Sequence, residues 1–160
     1  MKGMSVILVN EEKQLKEQQQ YVFGSLFLLA NKLQTKGDKF LSEDNITLRQ
    51  WLLTVMILQY KDQHPTLGDV AKMMGTSHQN VKQLANKLKE RGFLEIEKDK
   101  EDARAIRLRL TEKSFYFWIA KEKENDRFMT EVFEDLSAEE VTVMARGFQK
   151  LLNKIDGWEI

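Results

Sequence analysis

Residues 77–88, SHQNVKQLANKL, bring together side chains that can recognise the edges of bases. Asn and Gln amides bond bidentately to adenine in the major groove, while Ser and Lys bind phosphates or guanine. At helical spacing the apolar residues form one stripe, made of Val81, Leu84, Ala85 and Leu88. The opposite face then carries Ser77, His78, Gln79, Asn80, Lys82, Gln83, Asn86 and Lys87. An ordinary solvated face has a similar composition, so the context of the helix decides between the two interpretations.

A second concentration of charge, residues 99–113, reads DKEDARAIRLRLTEK and passes into strict alternation of apolar and basic residues. Successive side chains of a strand point to opposite faces. Arg107 and Arg109 therefore share a face that we expect to meet solvent or DNA, while the apolar residues between them pack on helices. Arg104 follows Asp102 at the edge of the loop. It either forms a surface ion pair with that carboxylate or contacts DNA.

Composition excludes most other kinds of site. The chain has no cysteine and only two histidines, His64 and His78, too few for an ordinary zinc site. It has no glycine-rich phosphate loop, histidine-carboxylate metal motif or serine elbow. We therefore expect no enzyme, no metal and no cofactor. His78 is expected to make a polar contact and His64 to lie in a loop.

Charge is zero in total but unevenly distributed along the chain. Residues 64–110 contain ten Lys or Arg and seven Asp or Glu, whereas residues 111–160 contain seven and eleven. The middle of the chain is thus basic and its last third acidic. The longest apolar stretches fall short of the roughly 20 residues that a membrane helix needs, and no secretory pattern begins the chain. We expect a cytoplasmic protein without a membrane partner.

Helical periodicity covers most of the chain. We predict a long amphipathic helix over residues 11–36, ended by Gly37, and a second helix from Leu48 to Tyr60 behind the capping box Thr47–Gln50. Two short helices joined by a glycine-containing turn follow, which is the helix-turn-helix arrangement. These cover 67–74, after Thr66, and 78–91, before Gly92.

Beyond Gly92 the periodicity changes to that of strands. Residues 93–98 and 105–110 predict a β-hairpin. A long helix begins at about Thr111, and its apolar residues form a long, partly broken stripe. A last helix follows the capping box Ser137–Glu140 and ends at about Ile155.

The hairpin and its flanks carry a recognisable motif. The loop is Asp99-Lys100-Glu101-Asp102-Ala103-Arg104, and the second strand leads into Leu110-Thr111-Glu112-Lys113-Ser114. Supporting segments are Leu48-Arg49-Gln50-Trp51, Asp69-Val70-Ala71 and Leu88-Lys89-Glu90-Arg91-Gly92-Phe93-Leu94. From about Glu11 to Ile155 the chain resembles the MarR family of bacterial winged-helix transcription regulators, whose wing commonly reads Asp-x-Arg-Asp-x-Arg before Leu-Thr-Glu-Lys-Gly. Glu101 departs from this pattern with a carboxylate that phosphates repel, and Ser114 replaces the glycine at the helix entrance.

The resemblance implies a mainly α fold with a small β-hairpin wing, a winged helix-turn-helix joined to a helical dimerisation region. Its parts would be a dimerisation helix in 1–40, a DNA-binding lobe in 41–112 and further dimerisation helices in 113–160. The second helix of the motif would enter the major groove, and the wing the minor groove, where arginine is favoured. Besides the eight polar-face residues, the expected DNA contacts are Thr66, Lys98, Lys100, Asp102 and Arg104.

The resemblance also implies a two-fold homodimer on a pseudo-palindromic site. Candidate interface residues are Leu15, Val22, Met129, Phe133, Val143, Phe148, Leu151, Leu152 and Trp158. Family members often bind small aromatic or phenolic ligands between the dimer helices and the lobe. The residues that either line such a cavity or are ordinary core are Phe23, Phe27, Trp51, Met56, Phe115 and Trp118.

The sequence therefore predicts a DNA-binding transcription regulator, a homodimeric repressor on a double-stranded operator that is either released by a small ligand or constitutive. The alternative is a winged-helix protein-protein interaction module without sequence-specific DNA binding, which Glu101 and the zero net charge favour. Salt separates the two, because DNA binding weakens steeply as salt rises and a mainly apolar protein interface changes little.

Overall fold

A computed structural model describes residues 2–60, 64–99, 102 and 104–158, with side chains described from residue 11 onward. The elements in chain order are α1 (Lys2–Phe40), a 3₁₀ turn (Ser42–Asp44), α2 (Leu48–Leu58), α3 (Leu67–Met73), α4 (His78–Glu90), β1 (Leu94–Lys98), β2 (Ile106–Leu110), α5 (Glu112–Ala120), α6 (Glu122–Phe133) and α7 (Ala138–Asp156). A mainly helical chain with an antiparallel hairpin confirms the predicted fold class. The chain divides into two compact units, Met1–Thr111 and Glu112–Ile160. Within the described ranges, no helix is long and apolar enough to span a membrane.

Helix α1 extends beyond its predicted end. It passes through Gly37 and continues to Phe40. A Cβ atom built at Gly37 would lie 2.7 Å from Cδ1 of Leu48, so the glycine permits close approach between α1 and the start of α2. The prediction that Gly37 ends the helix was wrong, because a glycine required for close packing looks in sequence like one that closes a helix.

The end of α1 is attached to the beginning of α2. Oδ1 of Asp38 accepts a hydrogen bond of 2.7 Å from the backbone N–H of Leu48. The hydroxyl of Thr47 accepts from the Gln50 N–H while the Gln50 side chain accepts from the Thr47 N–H, which confirms this capping box. Because the first N–H groups of a helix have no partner within it, these bonds stabilise the start of α2.

The predicted helix-turn-helix is present as α3 and α4. Thr66 and Asp69 form a capping box at α3, and the Ser77 hydroxyl accepts a first-turn N–H of α4. Gly75 in the turn has a φ of 60°, and Gly92 after α4 has a φ of 74°. Residues other than glycine rarely adopt these φ angles, so both glycines end their helices as predicted.

The core of the first unit lies between α4, the helices that precede it and the hairpin. Strands β1 and β2 pair antiparallel, with Leu94 opposite Leu110 and Lys98 opposite Ile106. The most deeply buried apolar side chains are Leu53, Val70, Ala71, Val81, Ala85, Leu88, Leu94 and Leu108. Removing this apolar surface from water holds α4 and the hairpin to the same core.

The observed helices differ from the predicted ones at two boundaries. Helix α2 ends at Leu58 instead of Tyr60, because the Tyr60 N–H bonds to the Ile57 carbonyl in a tighter turn. In the second unit, the single long helix predicted from about Thr111 was wrong: the structure has two helices, α5 and α6, separated at Lys121. Helix α7 begins behind the predicted Ser137–Glu140 capping box, and hydrogen bonds from the Ser137 N–H and hydroxyl lower the pKa of Glu140.

Candidate nucleic-acid interface

Helix α4 has one buried face and one exposed face. Val81, Ala85 and Leu88 are almost completely buried, and Leu84 is half-buried. Seven of the eight predicted polar-face residues are exposed, and Asn80 is half-buried. Helix α4 is therefore amphipathic, as expected of a helix that packs on one side and meets solvent on the other.

The polar face of α4 is largely uncommitted within the protein. Among the described residues, the side chains of its polar face beyond Asn80 form no hydrogen bond or ion pair with another side chain. Asn80 differs, because its Nδ2 donates a hydrogen bond of 2.8 Å to the Thr76 hydroxyl. The amides of Gln79, Gln83 and Asn86 therefore keep their donors and acceptors for a ligand.

An open groove of about 720 Å³ lies between α4, the start of α3 and the wing loop. Eight of the thirteen predicted DNA-contact residues line it: Thr66, His78, Gln79, Lys82, Gln83, Asn86, Asp102 and Arg104. The charged residues among these eight are two cations, Lys82 and Arg104, and one carboxylate, Asp102. The groove therefore offers hydrogen-bonding groups with a small excess of positive charge, which suits a polyanion.

The other predicted contacts are not among the groove-lining residues. Ser77, Asn80, Lys87 and Lys98 do not line it. Ser77 caps α4, while Lys87 and Lys98 are exposed. Lys100 lies outside the described residues, as does Glu101, so the wing departure noted in the sequence has no structural description.

Thr66 lines the groove but its polar groups are used internally. Its hydroxyl and its backbone N–H both donate to Oδ2 of Asp69, at 2.7 and 2.8 Å. These bonds, led by the one from the hydroxyl, lower the pKa of Asp69. Thr66 therefore fixes the start of α3 at the rim of the groove, and it has no spare donor for a phosphate.

Arg107 and Arg109 share the outer face of β2 as predicted, with side chains 41% and 43% exposed, but both are paired with carboxylates. Arg109 pairs with Glu95, directly opposite in the ladder, and lies 3.5 Å from Glu97. Arg107 pairs with Asp99. Carboxylates on the neighbouring strand and its end neutralise both guanidinium groups, which alternation within β2 alone does not reveal.

Arg104 is different from the two strand arginines. Its backbone N–H donates a hydrogen bond of 2.9 Å to Oδ1 of Asp102, whereas its exposed guanidinium has no ion pair within the described part of the chain. The predicted surface pairing of the two side chains is thus replaced by a backbone bond that shapes the loop. The Arg104 charge remains available at the groove.

Several groove residues were not predicted from the sequence. Leu67, Gly68, Ala105 and Ile106 complete the lining. A Cβ atom built at Gly68 would lie 3.4 Å from Cε1 of His78, so this glycine lets the start of α3 approach the start of α4. The small residue in the motif Thr-Leu-Gly-Asp was the available signal for that approach.

The residues proposed for a ligand cavity fall into both units. In the first unit, Phe23 and Phe27 are exposed and in edge-to-face contact on α1, with ring centroids 5.2 Å apart. Trp51 and Met56 on α2 are half-buried. In the second unit, Phe115 is exposed and Trp118 is half-buried. Phe23 and Phe27 are therefore not ordinary core of the monomer.

No cluster of three candidate metal ligands exists in the described ranges.

Comparisons with known proteins agree with this architecture. Residues 44–105 match the MarR family. Transcriptional activatory protein BadR of Rhodopseudomonas palustris is 23% identical over 136 residues, which cover 84% of this chain and 78% of BadR.

Solved structures resemble the chain over most of its length. A MarR-family transcriptional regulator from a Rhodococcus species has a TM-score of 0.73 at 18% identity, covering 83% of this chain and 93% of that one. S. aureus MepR in its DNA complex has a TM-score of 0.69 at 21% identity, covering 84% of this chain and 96% of MepR. At these identities the structural matches establish a shared fold.

Proposed function

Since residues 44–105 match the MarR family, we propose that the chain is a sequence-specific DNA-binding transcription regulator. The observation that supports this most directly is the groove between α4 and the wing loop. It is lined by amides and cations that have no partner within the described protein. Such groups recognise base edges and phosphates.

In the proposed complex, α4 lies in the major groove and the wing follows the adjacent minor groove. Gln79, Gln83 and Asn86 read bases, since their amides are exposed along one face. Lys82 binds a phosphate at the groove wall. Arg104 extends from the wing loop, where a narrow minor groove would concentrate negative potential.

The proposed regulator is a homodimer that binds a pseudo-palindromic operator. All nine candidate interface residues are exposed in the monomer, by between 36% and 64%. Four of them, Val143, Phe148, Leu151 and Leu152, lie on α7 alone. A monomer rarely leaves such contiguous apolar surface in water, so a second copy is the occupant we propose for the faces of α1 and α7.

A small aromatic or phenolic ligand is part of the proposal for regulation. The exposed rings of Phe23 and Phe27 lie on the same helix as proposed dimer residues Leu15 and Val22. A ligand held there would act by binding the DNA-incompetent dimer more tightly than the competent one.

We propose repression as the direction of regulation, in a cytoplasmic protein whose partner is double-stranded DNA. BadR is named as an activatory protein, so the position of the operator is the decisive observation. An operator that overlaps the promoter supports repression, whereas one upstream of it supports activation. The proposal involves no enzyme activity.

The experiment that tests the proposal is selection of bound duplexes from a random DNA pool, at low and moderate salt, with the mass of the protein measured alongside. We expect an inverted repeat with half-sites about one helical turn apart, bound by a dimer. Absence of enrichment at both salts would contradict DNA recognition and favour the protein-interaction alternative.

A further inference from the structure

Arg107 does not pair as its position in the hairpin predicts. In the β1–β2 ladder its directly opposite residue is Glu97, and oppositely charged residues at such positions normally pair. Its Nε instead bonds to Oδ2 of Asp99, and its Nη1 donates a hydrogen bond of 2.6 Å to the carbonyl of His64. One guanidinium thus joins the strand to two other segments.

The first segment that Arg107 holds is the wing loop. The Asp99 side chain is only 6% exposed, against 55% for Glu97. Its other oxygen, Oδ1, accepts a hydrogen bond of 2.7 Å from the backbone N–H of Asp102. The Asp99 N–H also donates to the Ala105 carbonyl. Asp99 therefore ties the turn that carries Arg104 to the Arg107 guanidinium.

The second segment that Arg107 holds is the chain just before α3. Besides the His64 contact, the Leu108 N–H donates a hydrogen bond of 3.0 Å to the Pro65 carbonyl, and Thr66 forms an isolated bridge with Arg107. This segment ends at the capping residue of α3. The two walls of the groove, the wing loop and the start of α3, therefore meet at Arg107.

We propose that Asp99 and Arg107 are positioning residues, which together form a tether holding the wing loop against the start of α3. The tether sets the place from which Arg104 reaches DNA, and neither of its residues is itself a DNA contact. This inference rests on the proposed DNA-binding function. It also explains why the Arg107 guanidinium pairs with a carboxylate of the protein, whereas the Arg104 guanidinium has no ion pair among the described residues.

For the effect of Asp99→Asn on DNA affinity, the tether predicts the opposite direction from simple electrostatics. Asp99→Asn removes a carboxylate from the wing, which by charge alone would strengthen binding to a phosphate backbone. If the carboxylate instead holds Arg107 and the loop, the same substitution weakens operator binding. Glu97→Gln is the matched control, since it removes an exposed carboxylate from the same hairpin.

The test combines amide hydrogen exchange in the free protein with titration of the selected operator. In the free protein we expect the Leu108 and Ala105 amides to exchange about tenfold faster in Asp99→Asn than in Glu97→Gln. On the operator we expect about tenfold weaker binding by Asp99→Asn, and unchanged or tighter binding by Glu97→Gln. Circular dichroism at the assay temperature checks that each variant is folded.

A double variant separates positioning from general destabilisation. Asp99→Asn combined with Arg104→Ala should bind no more weakly than Arg104→Ala alone, because the tether acts through Arg104. Additive losses, or operator binding by Asp99→Asn as tight as that of the wild type, would overturn the inference. Unchanged exchange would overturn it without any DNA. Failure of the wild type to bind any duplex would contradict the proposed function itself, and the exchange comparison would still decide whether the tether exists.

Discussion

The exposed face of α4 and the outer face of the hairpin are both polar, yet they differ in what their side chains already bind. On α4, polar groups such as Gln79, Gln83 and Lys82 have no partner among the described residues. On the hairpin, Arg107 and Arg109 are paired with carboxylates. Exposure alone therefore does not identify an interface for DNA.

For identifying a DNA interface, it therefore matters less that a cation is present than whether a carboxylate of the protein already pairs with it. A guanidinium paired with Glu95 or Asp99 attracts a phosphate less strongly, because the carboxylate already neutralises its charge. Arg104, whose backbone alone is held by Asp102, has no such pair among the described residues. In the proposed complex, the hairpin therefore uses Arg107 and Arg109 in its own structure and Arg104 for contact with DNA.

The largest expected effect is on stability and comes from the inner face of α4. Leu88→Ala should lower the free energy of unfolding by about 2–5 kcal/mol, because it opens a cavity beneath the helix. Its matched partner on the outer face, Asn86→Ala, should stay within about 0.5 kcal/mol of the wild type. Chemical denaturation measures both. Equal losses would show that the two faces are not distinct.

The second effect is on DNA affinity and separates the arginines. Arg104→Ala and Gln79→Ala should each weaken operator binding by about 1–3 kcal/mol and leave the dimer intact. Arg109→Ala should change affinity by less than either, since Glu95 already neutralises that guanidinium. Fluorescence anisotropy with a labelled operator measures all three. Stronger dependence on Arg109 than on Arg104 would reverse the comparison.

A smaller effect concerns phosphate contacts and the salt dependence of binding. Lys82→Ala should weaken binding about equally across sequences and flatten the salt slope by about 1. Lys87→Ala should do the same if that exposed lysine, which does not line the groove, also meets a phosphate. Binding constants at several salt concentrations give the slopes. An unchanged slope in Lys82→Ala would remove this lysine from the interface.

The smallest effect is on acid stability through the capping boxes. Hydrogen bonds lower the pKa of Asp69 from its usual value of 3.8, and they lower the pKa of Glu140 from 4.5. A lowered carboxyl pKa stabilises the folded state above the usual value, and this contribution is lost as pH falls through the folded pKa.

The variant Asp69→Asn should therefore have a lower Tm than the wild type at pH 7 and a smaller decrease in Tm between pH 5 and pH 2. Thr66→Ala, which removes the capping hydroxyl, should cost about 1 kcal/mol at neutral pH. Thermal unfolding followed by circular dichroism gives both results. Parallel pH profiles for wild type and Asp69→Asn would contradict the assignment.

Local chemistry predicted from the sequence was mostly correct, because it depends on neighbours in the chain. The capping boxes at Thr47 and Ser137 were confirmed, since each needs only residues three positions apart, and the start of a helix after Thr66 was also correct. The inner stripe of α4 follows from the helical period alone.

Predictions failed where distant segments meet. The predicted helix end at Gly37 is wrong because Leu48, which approaches this glycine, belongs to the next helix. The partner of Arg107 could not be predicted, because the fold alone brings His64 and Asp99 together at β2. The groove depends in the same way on segments separated in sequence, although most of its polar lining was named from composition and from resemblance to a family.

The most direct test of the proposed interface is to map where α4 lies on DNA. The chain has no cysteine, so Gln79→Cys can carry a single tethered iron chelate that cleaves nearby DNA. Glu90→Cys, about 16 Å farther along the same helix, is the control. At protein concentrations that saturate the operator with each conjugate, strong cleavage within each half-site from position 79 and weak cleavage from position 90 is the expected result. Equally weak cleavage from both positions would contradict the proposal that α4 reads the operator.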